Sequence, residues 1–207
     1  MKYKWLQHKG SQELVIFFNG WGMDDYIVSS LACGDYDVVV FYDYNNLDFD
    51  VDLSMYVKKH IVAWSMGVMI ADMFEFDNVV SATAICGTPK VIDDMYGIPE
   101  KIYNLTVKGF SELSAKKFMK RMFIETPKIE KFSDRTFESQ KSELIKMLDY
   151  KPLGKINYTR AIVADSDKII PTANQLNYWG NAEVVNSGHC PFELFKSWEE
   201  LLWLKVW

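Results

Sequence analysis

The chain has 207 residues, 49% of them hydrophobic, and a formal net charge of −5, which predicts one domain with a good core, or one domain plus a small insertion. No stretch reaches the ~18 consecutive apolar residues of a membrane helix, and no N-terminal segment joins basic residues to a long apolar run, so we expect neither a membrane span nor a signal peptide. Cys33, Cys86 and Cys190 match neither a disulfide framework nor a metal-binding pattern, so we expect a cytoplasmic protein with no metal and no cofactor.

Short runs rich in valine and isoleucine alternate with helical patterns, which predicts a largely parallel sheet covered by helices on both faces. In chain order, the predicted strands are an edge strand at 2–7 and then 13–18, 37–42, 60–64, 80–86, 157–164 and 182–186. The predicted helices are 25–33, 66–76, 172–179 and 191–203. Between residues 101 and 155 the pattern is helical only. We therefore expect an α/β core of residues 1–100 and 156–207, with a helical insertion at 101–155.

The predicted strand 13–18 runs into Asn19-Gly20-Trp21-Gly22. Glycines after an apolar strand allow a loop to bring backbone N–H groups close to a ligand. Taken alone, the segment is also typical of a tight turn with packed aromatic side chains. In hydrolases whose nucleophilic serine lies in a sharp turn between a strand and a helix, such a loop supplies one donor of the oxyanion hole. We predict that the amide of Trp21 is that donor.

Ser65 lies in Ala63-Trp64-Ser65-Met66-Gly67, between one short apolar run and another. A strand, a sharp turn and a helix in this order form a nucleophile elbow, which strains its serine and needs small neighbouring residues. Gly67 meets that need, and Ala63 stands where glycine is usual. We therefore predict that Ser65 is a nucleophile and that the amide of Met66 is the second oxyanion donor.

Two later segments contain the partners that a serine nucleophile needs. A late predicted strand runs into Asp165-Ser166-Asp167, and open α/β sheets carry their sites at the carboxyl ends of strands. Asp167 is the better candidate because of its spacing to Pro171, and Asp165 is the reserve. His189, in a loop after a short strand, is the predicted general base. The order serine, aspartate, histidine is the one expected of α/β-hydrolases.

Three segments, Asn19-Gly20-Trp21-Gly22, Trp64-Ser65-Met66-Gly67 and Gly188-His189-Cys190-Pro191-Phe192, together resemble a known family. It comprises the α/β-hydrolases that demethylate pimeloyl-acyl-carrier-protein methyl ester in biotin synthesis. The similarity is closest to the BioG type, because of Cys86-Gly87-Thr88-Pro89-Lys90 and Tyr96-Gly97-Ile98-Pro99.

The resemblance implies an α/β-hydrolase fold, with a mostly parallel central sheet flanked by helices and the insertion 101–155 as a small helical lid. It also implies that the substrate is a methyl ester borne by an acyl-carrier protein. Ala63 is one departure from the pattern. Asn19 is another, because the BioH-type esterases have histidine there; asparagine cannot titrate, so we expect no proton transfer at this position.

Positive charge is concentrated in the predicted insertion. Residues 101–160 hold 14 Lys/Arg and 7 Asp/Glu, a net charge of +7, although the whole chain carries −5. On a helix, the segment 115–123 has one basic and one apolar face. The basic face, predicted to bind an acidic carrier protein, consists of Lys116, Lys117, Lys120 and Arg121. The apolar residues predicted to line the acyl pocket are Phe110, Phe118, Met119, Met122 and Phe123.

Other interpretations of the same patterns remain open. A solvated amphipathic helix would give the same two faces, whereas nucleic acid is not an expected partner because the chain is acidic and has no nucleic-acid-binding motif. A thioesterase or a general short-acyl carboxylesterase would use the same three catalytic residues. A non-catalytic binding protein on a hydrolase scaffold would have an incomplete set, and all three residues are present here.

Overall fold

Seven strands form one sheet in the computed structural model, which describes residues 1–125 and 132–203. The strand order is β1-β3-β2-β4-β5-β6-β7, and these strands pair in parallel except for the edge strand β1, which is antiparallel to β3. The central strands are nearly continuous apolar runs because both faces of the sheet are covered. The strands are β1 (Lys2–Gln7), β2 (Glu13–Phe18), β3 (Asp37–Tyr42), β4 (Lys58–Trp64), β5 (Val79–Ile85), β6 (Arg160–Ala164) and β7 (Glu183–Val185).

Helices flank this sheet, as the alternating sequence pattern predicts, and separate hydrophobic clusters fill its two sides. No helix in residues 1–125 and 132–203 has the length and apolar character needed to cross a membrane. The first helix is shorter than the predicted helix 66–76. The helices are α1 (Gly67–Ala71), α2 (Glu100–Lys108), α3 (Glu112–Arg121), α4 (Phe137–Lys146), α5 (Thr172–Trp179) and α6 (Trp198–Trp203), with 3-10 helices at Asp25–Val28 and Phe192–Leu194.

Two predicted helices are interrupted where they contact each other. The predicted helix 25–33 is only a short 3-10 helix, and the predicted helix 191–203 is divided in two. The N–H of Ala32 donates to the carbonyl of Lys196 (3.0 Å), and the N–H of Trp198 donates to the carbonyl of Ala32 (3.1 Å). Because these backbone groups pair between the segments, they are not available for helical hydrogen bonds within either one.

The chain changes direction across the sheet between β2 and β4. From β2 it moves to β3 on one side, and it then returns to place β4 on the other side of β2. Loops that leave two neighbouring strands in opposite directions create a crevice at the carboxyl edge, where open α/β sheets bind ligands. Loop 19–23 follows β2 and the Ser65 turn follows β4, while α2, α3 and α4 lie in the chain between β5 and β6.

Candidate active site

The Ser65 turn is a strained connection between β4 and α1. Ser65 has φ +57°, a left-handed conformation that costs a non-glycine residue free energy and recurs at active sites. Its N–H donates to the carbonyl of Ile85 (2.9 Å). A Cβ at Gly67 would lie 2.2 Å from the carbonyl oxygen of Phe18. Only glycine therefore lets α1 begin so close to β2.

Ser65, His189 and Asp167 form one chain of hydrogen bonds. Ser65 Oγ lies 2.8 Å from His189 Nε2, and His189 Nδ1 lies 2.8 Å from Asp167 Oδ2. The imidazole and the carboxylate are buried. Trp64 Nε1 donates to the carbonyl of His189 (2.8 Å), which ties the histidine loop to β4. With a proton on Nδ1, the imidazole can accept the serine proton at Nε2.

The carboxylate that contacts the imidazole belongs to Asp167 and not to Asp165. Oδ1 of Asp167 accepts the N–H groups of Ile169 (2.8 Å) and Ile170 (3.0 Å), and Oδ2 also accepts a hydrogen bond from Gln175 Nε2 (2.9 Å). Asp165 is exposed to solvent. Sequence reasoning missed Gln175, because a single glutamine in a helix has no motif that marks it as the partner of an acid.

The loop after β2 lies against the serine. A Cβ at Gly20 would lie 2.9 Å from the ring of Trp64 and 3.3 Å from Ser65 Cβ, so glycine allows this close approach. Within residues 1–125 and 132–203, the backbone N–H groups of Trp21 and Met66 donate to no protein acceptor. Asn19 has a structural role, since its Oδ1 accepts the N–H of Gly20 (2.8 Å). Two unpaired N–H groups beside a serine are what an oxyanion hole requires.

The sequence model of the family described as "Pimeloyl-ACP methyl esterase BioG" matches residues 1–201. The chain belongs to this family. Its structure matches the crystal structure of BioG from Haemophilus influenzae with a TM-score of 0.91 and 32% sequence identity, over 98% of this chain and 100% of that chain. The family and the geometry above agree on an esterase, and the resemblance identified from the sequence motifs is confirmed.

The BioG-family chain is also similar in sequence to part of a longer protein and in structure to a more distant one. It is 35% identical over 179 residues to a malonyl-[acyl-carrier protein] O-methyltransferase of Bacteroides fragilis, a match that covers 81% of this chain and 36% of that longer protein. An α/β-hydrolase fold protein from Burkholderia ambifaria matches with a TM-score of 0.63 at 12% identity, over 96% of this chain and 90% of that chain. The second similarity shows the fold alone and confirms the predicted α/β-hydrolase fold.

A mostly apolar cleft of this BioG-family chain lies next to the Ser65 turn, since Met66 and Trp21 both line it. Phe118, on α3, is one of its lining residues, whereas Phe110 is not and instead contacts Trp21, with the two rings 5.2 Å apart in an edge contact. Several lining residues come from α2 and from loops that the sequence did not mark. The cleft is lined by Trp21, Met66, Ile98, Ile102, Tyr103, Thr106, Phe118, Arg121, Leu144 and Ile169.

The prediction that Met119, Met122 and Phe123 line this cleft is wrong. Helix α3 ends at Arg121, so Met122 and Phe123 do not continue the helical face on which the prediction relied, whereas Met119 lies within the helix but on its side toward the other cluster. All three pack instead into the hydrophobic cluster on the other side of the sheet. The carbonyl of Met122 accepts the N–H of Cys190 (3.1 Å), so this segment supports the histidine loop from behind.

The four predicted basic residues of α3 are exposed, but they do not form one uniform face. Lys116, Lys117 and Lys120 point away from the apolar side of the helix. Arg121 also lines the cleft, and its Nη2 donates to the carbonyl of Lys168 (2.5 Å), the residue after Asp167. Arg121 therefore connects the insertion to the acid loop in addition to adding positive charge.

Proposed function

We propose that this chain hydrolyses the methyl ester of a pimeloyl group carried by an acyl-carrier protein, with Ser65, His189 and Asp167 as its catalytic triad. The observation that carries the proposal is the unbroken hydrogen-bond chain of these three side chains, 2.8 Å at each step, in a BioG-family protein. The mostly apolar cleft supports the acyl assignment, because a chain of methylene groups ending in an uncharged ester suits such walls better than a free carboxylate does.

In the first half of the reaction, Ser65 Oγ attacks the ester carbonyl while His189 takes its proton. The N–H groups of Trp21 and Met66 stabilise the oxyanion, and each such donor is worth about 10²- to 10³-fold in rate. His189 then returns the proton to the departing methoxide, which leaves as methanol. Water then attacks the acyl-enzyme with His189 again as the base. The bond between the acyl carbon and Ser65 Oγ breaks, His189 returns the proton to Oγ, and the free carboxylic acid remains attached to its carrier.

We propose that the helical insertion 101–155 acts as a lid and that its outer basic residues attract the carrier protein. The insertion adds positive charge to an acidic chain, and acyl-carrier proteins are acidic, so electrostatic steering would raise the rate of their encounter. The cytoplasm is the compartment that we propose, supported by the free thiols of Cys33, Cys86 and Cys190, because reducing compartments keep cysteines unpaired.

The proposal is tested with carrier protein loaded with pimeloyl methyl ester, whose mass is measured before and after incubation. Wild type should exchange the ester methyl group for hydrogen and leave the thioester intact. Ser65→Ala should lose this activity, and Ser30→Ala, at an exposed serine, should retain it. Loss of the whole acyl group would show a thioesterase instead. An unchanged methyl ester after incubation with wild type would contradict the proposed substrate.

A further inference from the structure

Helix α4 of the insertion is hydrogen-bonded to the loop that carries the proposed oxyanion donor Trp21. The N–H of Gly22 donates to Glu143 Oε2 (2.9 Å), and Gln140 Nε2 donates to the carbonyl of Gly22 (3.0 Å). Trp21 Nε1 in turn donates to the carbonyl of Gln140 (2.8 Å). Both peptide groups of Gly22 and the indole of Trp21 are thus held by one turn of α4.

Glu143 has no contact with solvent, and each of its oxygens has a partner. Besides Gly22, the carboxylate accepts the N–H of Tyr44 at Oε1 (2.8 Å) and Arg135 Nη1 at Oε2 (2.5 Å). Arg135 is itself buried and pairs through Nη2 with Asp43 Oδ1 (2.9 Å). Burial raises the pKa of Glu143, and the charge of Arg135 opposes that rise.

A buried ion pair of this kind is a weak source of stability, because the cost of desolvating both charges offsets their attraction. The ion pair is nevertheless rigid, because a carboxylate that accepts several hydrogen bonds has few alternative geometries. This carboxylate joins three segments that are distant in sequence: α4, the loop after β2 and the loop after β3. Two of its donors are backbone N–H groups, and one of these, that of Gly22, directly follows Trp21.

We propose that Glu143 is a positioning residue that sets the direction of the Trp21 N–H by holding the next peptide group, that of Gly22. This inference rests on the proposed function, because it assigns Trp21 to the oxyanion hole. On the other side of Trp21, Asn19 Oδ1 accepts the N–H of Gly20 (2.8 Å). The donor peptide is therefore held from both directions, and α4 is the part of the proposed lid that holds it on one of them.

The test is Glu143→Gln, with Glu138→Gln as a matched control at an exposed position of the same helix. A glutamine has one acceptor oxygen in place of the two that serve Gly22 and Tyr44, so in either orientation its amide N–H groups face a donor, either Tyr44 or the pair of Gly22 and Arg135. With a small uncharged ester, kcat should fall about 10- to 100-fold while KM changes by less than about threefold. The control should behave as wild type.

A trifluoromethyl ketone inhibitor provides a readout that a purely structural role would not change. Ser65 Oγ adds to its carbonyl carbon, the serine proton passes to His189, and the carbonyl oxygen takes the electron pair of the π bond and becomes an oxyanion. Its inhibition constant should rise in Glu143→Gln by the same factor as kcat/KM falls, because both report binding of the oxyanion. An unchanged inhibition constant, with kcat reduced only in proportion to the folded fraction, would overturn the proposal.

Thermal unfolding of each variant measures the folded fraction. If Glu143→Gln does not fold, Gln140→Ala is the second variant. It removes the hydrogen bond from Gln140 Nε2 to the carbonyl of Gly22 and leaves the ion pair of Glu143 with Arg135 intact. A decrease in kcat is expected here too, but a smaller one than in Glu143→Gln. Wild-type kcat retained in a folded Gln140→Ala would then count against the proposal. Failure of the proposed function has a different signature, because wild type itself would leave pimeloyl methyl ester on the carrier unchanged while still hydrolysing the small ester.

Discussion

Among single residues, local burial and hydrogen bonding explain why Asp167, and not Asp165, contacts the imidazole of His189. Asp165 and Asp167 are two positions apart after β6, but only Asp167 turns inward, where its side chain is wholly buried. The N–H groups of Ile169 and Ile170 hold one oxygen. The other oxygen accepts Gln175 Nε2 and the imidazole N–H, which keeps the proton on Nδ1 and the acceptor at Nε2.

Asp167→Asn should reduce kcat by about 10²- to 10⁴-fold with little change in fold, because the amide favours the wrong tautomer of His189. Asp165→Asn, at an exposed position, should reduce it much less. Steady-state hydrolysis of a small ester by both variants, with circular dichroism as the check on folding, measures the difference. An equal loss in the two variants would show that Asp167 has no special relation to the imidazole.

Among the helices, α3 has an exposed basic side and an apolar side that packs against Trp21. Ser111 and Ser114 form a capping box at its start, so the helix begins at a defined residue and its faces are fixed. Phe118 faces inward, with its ring 5.0 Å from that of Trp21, while Lys116 and Lys120 lie outside. A charge on the outer side can reach only a partner that is larger than the acyl chain.

The double variant Lys116→Glu/Lys120→Glu should lower kcat/KM for carrier-linked substrate by about tenfold at low ionic strength, and this loss should fade as salt is added. Hydrolysis of a small ester should not change. Lys9→Glu/Lys196→Glu, at exposed lysines remote from the insertion, is the control for the change in net charge. If both double variants behave alike, the effect belongs to overall charge and not to a docking surface on α3.

At the scale of the whole molecule, Asp37 joins the first strands of the sheet. It is fully buried at the start of β3. Burial by itself would raise the pKa of Asp37, but hydrogen bonds from the N–H groups of Lys9, Ser11 and Gly10 and from the hydroxyl of Tyr56 outweigh it and lower that pKa below its ordinary value of 3.8. The folded state therefore binds this carboxylate's proton more weakly than the unfolded chain does.

The stability that Asp37 contributes should be fully present above about pH 4 and be lost as the pH falls through its lowered folded-state pKa. Asp37→Asn should reduce the free energy of unfolding by about 2 kcal/mol at neutral pH and should lack this part of the acid dependence. Urea unfolding between pH 3 and pH 7 measures both effects, with Asp35→Asn, whose side chain is exposed, as the control. Parallel pH profiles for wild type and Asp37→Asn would exclude this role.

Features that depend on neighbouring residues along the chain could be predicted before the structure was known. The apolar run, the serine and Gly67 specify a strand, a strained turn and a helix within a few residues, because the steric limits of such a turn are local. The alternation of strands and helices likewise determined a parallel sheet covered on both faces, and with it the edge of the sheet where Ser65 and Asp167 had to lie.

Contacts between residues far apart in the chain could not be predicted in this way. The bonds of Ala32 with residues 196 and 198 interrupt two predicted helices, the end of α3 redirects Met122 into the opposite core, and Glu143 reaches Gly22 across more than half of the chain. The periodicity of apolar residues predicts which face of a helix or strand is buried. It does not predict which other segment packs against that face. Hydrogen bonds between segments far apart in sequence have no periodic signal, so the partners of Glu143 and Gln175 emerge only when the chain is folded.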